Sequence, residues 1–250
     1  MPYGPAMTSR QTISGPWGEL LVAPDTNGQS APHYHATFAI GLGRAGGGTL
    51  FARGRSWSYC AGMIVVTNPF DPHWGRPAAG GVHYTLLYPR LSWLRGLPGR
   101  REPMHFEQAV IEDDDVAARL DAAFENVLAG RGDALLAAAV GNLFARHARL
   151  APPVGAEPAD CAGGDGPIAS LAVEAGLSRA YYSRKYRERT GLSPIDHRRQ
   201  ARVLAARAMI EAGAGLAAAA ADAGFADQAH MTRQFRRILG VTPGAYRPQA

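Results

Sequence analysis

One stretch of sequence is used twice near the C-terminus, and that duplication limits the folds open to this chain more than any other feature. Ala175-Gly176-Leu177-Ser178-Arg179-Ala180-Tyr181-Tyr182-Ser183-Arg184-Lys185-Tyr186 runs on to Gly191-Leu192-Ser193-Pro194. Its counterpart, Ala223-Gly224-Phe225-Ala226-Asp227-Gln228-Ala229-His230-Met231-Thr232-Arg233-Gln234-Phe235, runs on to Gly240-Val241-Thr242-Pro243. Arg184, Tyr186, Gly191 and Pro194 each stand 49 residues before Arg233, Phe235, Gly240 and Pro243, and the second copy has one extra residue in its turn. A repeat of this length is one supersecondary unit made twice.

Each copy has the physics of a helix-turn-helix. An Ala-rich first helix, through Leu171-Ala172 or residues 217–221, permits close helix approach. Gly176 or Gly224 supplies the sharp turn, with Leu177 or Phe225 beneath it. Ser178 and Asp227 are natural N-caps for the second helix. In that helix Tyr182/Tyr186 and Met231/Phe235 lie at i, i+4 and are expected in the core. The opposite face carries Ala180, Ser183, Arg184 and Arg187 in one copy, and Ala229, Thr232, Arg233 and Arg236 in the other. Small and polar groups with a reaching Arg suit a major groove, where Arg pairs bidentately with guanine and Gln228 can pair with adenine. Arg179, Lys185, Arg187, Arg189, Arg236 and Arg237 flank that face and can neutralise phosphates. Taken singly, each Arg is explained by a solvated face. Two matched faces are not. Between the copies, Asp196 to Ala212 reads as a connecting helix, with Val203, Ala206 and Ile210 on one side and Arg198, Arg199 and Arg202 on another. A rigid connector would let one chain read successive major grooves, ~34 Å apart.

The charge supports this division. The formal net charge is +5. Residues 1–159 carry 13 Arg and 13 acids, whereas residues 160–250 carry 13 basic residues against 8 acids, so the whole excess lies with the repeat. Lys185 is the only lysine, a preference that explains Arg over Lys but not the asymmetry. The rest of the composition excludes other classes. At 46% hydrophobic the chain is not disordered,. It has no long uncharged apolar run for a membrane helix and no signal-peptide pattern at Met1-Pro2-Tyr3-Gly4-Pro5. Cys60 and Cys161 offer neither a disulfide framework nor metal-site spacing. These features predict a soluble intracellular chain that makes no use of a membrane.

Residues 168–247 resemble the DNA-binding domain of the AraC/XylS family of bacterial transcription regulators. The resemblance rests on Gly224-Phe225 through Phe235-Arg236-Arg237, Gly240-Val241-Thr242-Pro243 and Tyr246-Arg247. It implies a cytoplasmic regulator whose paired helix-turn-helix units bind double-stranded promoter DNA, often as a homodimer, with RNA polymerase as a further partner. Copy one departs at Tyr182, where the family commonly has Leu, and at His197, where it often has an aromatic residue.

Upstream, to about residue 107, short extended runs are broken by Gly and Pro. Residues 18–22, 37–40, 62–66 and 83–88 read as strands of a sandwich or barrel. Glu112-Asp113-Asp114-Asp115 then precedes Val116, Leu120, Ala123, Phe124, Val127 and Leu128 at helical spacing, with Gly130 as a stop,. Asp133 is expected to cap a second helix bearing Leu136, Val140, Leu143, Phe144 and His147. These two helices pack either on the sheet or on another subunit.

Pro32-His33-Tyr34-His35 is the chemical feature of this region, since His33 and His35 share one face of an extended segment. The region looks like the cupin-type sensor found upstream of this DNA-binding domain. In cupin enzymes a His-x-His pair, a nearby Glu and a later His hold a metal. Here no acid follows His35 before Arg44, and no metal or other cofactor is expected. A divalent metal on His33, His35 and His73 is the remaining alternative. His33, His35, Trp57, His73, Trp74 and Tyr84 are the candidate effector-binding residues. Arg53-Gly54-Arg55 reads equally as an anion contact or an exposed turn.

The expected architecture is therefore α+β and multidomain. It comprises a cupin-like all-β sensor barrel over 1–107, a helical hairpin over 108–150 as candidate dimerisation element, a linker over 151–166, and an all-α double helix-turn-helix domain over 167–250. The expected function is sequence-specific, effector-controlled transcription regulation rather than catalysis. The alternative is a cupin-type metal-dependent enzyme with an appended DNA-binding domain.

Overall fold

Leu20 and Val22, Ile40 and Leu42, Ile64 and Val66 fall at alternate positions of three strands, and that alternation turns one sheet face inward,. A computed structural model describes residues 11–26, 30, 32–97, 104–150, 168–239 and 242–247, which fall into two compact units, Met1–Gly155 and Ala156–Ala250.

In the first unit the strands are β1 (Gln11–Gly15), β2 (Gly18–Thr26), β3 (Ala39–Ala52), β4 (Arg55–Cys60), β5 (Ile64–Thr67), β6 (His73–Pro89), β7 (Met104–Phe106), β8 (Val110–Ile111) and β9 (Ala148–Leu150). The main sheet is antiparallel and ordered β1-β2-β6-β3-β5-β8, with β4 on β3, while β7 and β9 form a separate pair. Among the described residues no ladder joins β1 to β8.

Strands cover 18–22 and 83–88 in full, but 37–40 and 62–66 only in part, since β3 starts at Ala39 and β5 at Ile64; β3 and β6 run to 14 and 17 residues. Their glycines read as breaks in the sequence, yet here they permit close strand approach. The β3–β6 register shifts between Gly43 and Ala45 and again between Gly46 and Gly48. A Cβ on Gly43 would come within 2.6 Å of the Cys60 carbonyl oxygen, which only a glycine avoids.

A short helix, α1 (Leu91–Arg95), follows β6, and the hairpin is α2 (Asp114–Leu128) and α3 (Ala134–His147). The side chain of Asp113 accepts from the Val116 N–H at 3.1 Å, capping α2, and Gly130 takes a left-handed φ of 69° just past its end,. Asp133 occupies the cap position of α3 without a side-chain cap bond, contrary to expectation. The apolar stripes pack on the sheet. Val116, Leu120, Phe124, Leu136, Val140 and Leu143 share one buried core with Leu20, Ile40, Ile64 and Leu87, each side chain contributing roughly 1.5–3 kcal/mol. Phe38, Phe106 and Phe144 meet edge-to-face at its centre, with ring centroids 4.9–5.8 Å apart,. Arg44, buried on β3, ties the sheet to α2 through Asp121 and Glu125 and donates to Thr85 at 3.2 Å.

The second unit contains α4 (Ile168–Glu174), α5 (Arg179–Thr190), α6 (Pro194–Glu211), α7 (Leu216–Asp222), α8 (Gln228–Leu239) and a 3-10 turn, Pro243–Tyr246. The proposed linker 151–166, Cys161 and Gly240-Val241 lie outside the described residues. No helix among the described residues is long and apolar enough to cross a membrane.

Candidate nucleic-acid interface and ligand site

The two turns of the second unit are built from the same bonds. The Leu177 N–H donates to the Ala172 carbonyl at 2.8 Å, and the Phe225 N–H to the Ala220 carbonyl at 2.9 Å. Gly176 and Gly224 sit at φ 66° and 75°, the left-handed turn that a glycine adopts without strain. Ser178 then accepts from the Tyr181 N–H at 3.3 Å, and Asp227 accepts from the His230 N–H. Each cap satisfies the third amide of its helix. Two second helices, α5 and α8, result.

Their inner faces are buried as spacing predicts. Tyr182 and Tyr186 join Ala172 in one core, whereas Met231 and Phe235 join Val203, Ala206, Ile210, Ala219, Ala220, Ala223 and Phe225 in another. The connector α6 touches both halves. At its start Ser193 caps the Asp196 amide at 3.1 Å, and the His197 Nδ1 is hydrogen-bonded to the Tyr186 hydroxyl. The departure at His197 is thus matched by a tyrosine that can use it.

Their outer faces are presented to solvent. Arg179, Ala180, Arg184, Lys185 and Arg187 are exposed on α5, with Ser183 half-buried. Gln228, Ala229, Arg233, Arg236 and Arg237 are exposed on α8, with Thr232 half-buried and its hydroxyl donating to the Gln228 carbonyl at 2.9 Å. Arg202, on the connector, is half-buried, with its guanidinium against the second turn, where a Cβ on Gly224 would lie 3.3 Å from its Nε.

Sequence reasoning passed over Tyr181. It is 37% exposed, and the Arg184 guanidinium and Lys185 ammonium stand 5.1 Å and 5.3 Å from its ring centroid, within cation–π range. Its counterpart, His230, is instead folded against Phe225 at 5.4 Å. An exposed aromatic between two cations on the outward face was the available signal.

In the first unit, the geometry brings three of the six candidate effector residues together. His33 and His73 exchange backbone hydrogen bonds of 2.9 Å and 2.8 Å, outside any regular strand pair. The ring centroids of His33, His35 and His73 are 4.5–5.1 Å apart. One ring nitrogen from each lies within 4.8 Å of the others. His73 Nδ1 is 2.9 Å from the Asp71 carbonyl oxygen, which sets it as donor and leaves Nε2 as the lone-pair nitrogen,. Burial, helped by His33 and opposed by that carbonyl, lowers the His73 pKa to about 3,.

The loop behind His73 is held by a polar lattice. Asn68 Nδ2 donates to Asp71 Oδ2 at 2.9 Å and to the Phe106 carbonyl at 3.1 Å, while Asn68 Oδ1 accepts from the Phe106 N–H at 2.8 Å. Arg53 pairs with Asp71 at 3.3 Å and donates to the Phe106 carbonyl, so it serves this lattice. Phe70, which sequence reasoning did not single out, projects from the same loop, 51% exposed and at φ 62°. A bulky residue in that region is strained, a condition concentrated at functional sites.

Of the remaining candidates, the two tryptophans are placed apart. Tyr84 lies two and four residues from Leu86 and Tyr88 on β6, hence on one strand face with the Tyr88 ring that meets His35 at 4.8 Å. Trp57 packs beside Leu50, Ala52 and Ala109. Trp74 follows His73 directly in β6 and so points to the other face, where it stacks on Phe51 at 4.9 Å,.

Two helix-turn-helix units in one helical body, following a β-rich unit with a helical hairpin, define a two-domain protein of ligand-binding and helix-turn-helix type. A family model described as the AraC-like ligand binding domain matches residues 17–144, just over half of the chain, and a helix-turn-helix domain model matches residues 171–249. The chain belongs to the AraC-like family. It is 33% identical over 81 residues to AraC-like transcription regulators of Streptomyces antibioticus and Streptomyces lividans, a match covering 32% of this chain but only 27% of either relative. It shares its fold with the crystal structure of an apo ToxT from Vibrio cholerae, at TM-score 0.51 and 13% identity over 91% of this chain and 96% of that one.

Proposed function

We propose that the chain is a sequence-specific DNA-binding transcription regulator controlled by a small molecule bound in its first unit. The observation that carries the reading is the duplication of one exposed face, Ala180/Ser183/Arg184/Arg187 and Ala229/Thr232/Arg233/Arg236, on two identically capped helices. Arg184 and Arg233 read base edges; Arg179, Lys185, Arg187, Arg236 and Arg237 meet phosphates; Tyr181 steadies Arg184 and Lys185. The effector contacts His33, His35 and His73, with Phe70, Tyr84 and Tyr88 around them and Trp57 further along the sheet. It regulates by favouring one conformational population over another.

We read the chain as a regulator rather than an enzyme, acting in the cytoplasm with RNA polymerase and as a homodimer through α2 and α3. The sheet offers histidines, with no carboxylate in their cluster among the described residues. Selection of genomic fragments by the purified full-length chain at two salt concentrations tests the reading. A recurring motif near promoters that persists at the higher salt is expected. Sequence-blind binding that vanishes with salt would overturn it.

A further inference from the structure

We propose that His33, His35 and His73 form a three-nitrogen site for a first-row divalent cation of the zinc, cobalt or nickel kind. The proposal stands on the histidine geometry and does not depend on the regulator reading. Three features carry it.

The first is convergence. One ligand nitrogen from each ring lies within 4.8 Å of the other two. Bonds of about 2.0–2.1 Å to a common ion place neighbouring donors about 3–3.5 Å apart, so small side-chain rotations close the set. The second is preorganisation. The paired backbone bonds between His33 and His73 fix their separation, and the Phe70 N–H donates to the His35 carbonyl at 2.8 Å, fixing the third backbone. The Asn68–Asp71–Arg53 lattice holds the loop that carries His73. The third is the tautomer. A ligating imidazole characteristically donates its other N–H to a carbonyl or carboxylate. His73 Nδ1 does so to the Asp71 carbonyl, leaving Nε2 for the ion.

The donor set also predicts selectivity. Among the described residues the cluster holds three nitrogens and no anionic oxygen. Neutral nitrogen ligands suit zinc, copper, nickel and cobalt, while calcium and magnesium require oxygen donors. Three protein ligands leave coordination open for water or another small donor.

The test is titration of the chelator-treated full-length protein with Co2+ and Zn2+, by calorimetry and by the visible absorption of bound cobalt. One cation per chain is expected, with no comparable uptake of Mg2+ or Ca2+. His33→Ala and His35→Ala are each expected to weaken binding at least about 100-fold, because even changes to partners behind metal ligands cost about 10–100-fold. Since His73 is buried, His73→Asn is paired with a thermal melt, and the two half-buried histidines keep the test decisive if it fails to fold. Wild-type affinity in a folded His33→Ala/His35→Ala variant, or no uptake by the folded wild type, would overturn the site. The readout is stoichiometry rather than DNA binding, so the two readings fail separately.

Discussion

The two helix-turn-helix halves show the same outward face but rest on unequal cores. The second half buries nine residues, none with a polar side chain, around Phe235 and Met231. Among the described residues the first clusters only Ala172, Tyr182 and Tyr186, with Leu171 and Leu177 partly covered, buries Leu192 and Leu204 as well, and joins α5 to α6 through the Tyr186–His197 hydrogen bond. A recognition surface needs only a correctly capped helix with the right residues facing out. Stability needs apolar area removed from water, and the halves differ there. The second half is therefore the anchor and the first the softer partner, drawn from the low end of local stability.

The largest effect expected is at the anchor. Phe235 is 0% exposed, and Phe235→Ala should cost about 3–5 kcal/mol of unfolding free energy; a thermal melt unchanged from wild type would place the core elsewhere. Next come Arg184→Ala and Arg233→Ala, each expected to cost about 1–3 kcal/mol in DNA binding without shifting the melt. A clear fall in melting temperature would instead make these arginines structural. Tyr186→Phe should cost about 0.5–1.5 kcal/mol by removing the hydroxyl bonded to the buried His197 Nδ1,. Amide exchange should then quicken in α5 while α8 keeps its protection, and equal loss in both would contradict the softer-half assignment. Smallest is Tyr181→Leu, expected to weaken DNA binding by about 0.5–1 kcal/mol through Arg184 and Lys185. Tyr181→Phe keeps the ring and should bind as wild type. If Phe fails as Leu does, the hydroxyl rather than the ring is what matters.

How far the sequence could be read follows from where the information lies. Caps, turns and i, i+4 faces are local, so Ser178, Asp227, Tyr186 and Phe235 could be placed from spacing alone. The glycines of β3 and β6 misled because their reason is distant: Gly43 faces the Cys60 carbonyl across a strand pair. Asp133 has the right residue type for a cap but a backbone at φ −115°, ψ 13°, rather than the extended conformation from which a cap side chain folds back. His33 and His35 were visible as a pair, while the arrival of His73 depends on a bridge between residues 40 apart. Trp74 stands with His73 among the effector candidates, yet as its neighbour in a strand it faces the other way, onto Phe51,. Tyr181 escaped notice because its repeat counterpart, His230, turns inward.

Parallel DNA selection with the wild type, Arg184→Ala and Arg233→Ala tests the central claim most directly. Two helices that read separate grooves predict a motif in two blocks about one helical turn apart, with Arg184→Ala relaxing one block and Arg233→Ala the other. If both variants return the full motif at uniformly lower affinity, the arginines touch only phosphates and the duplicated face is not a pair of readers.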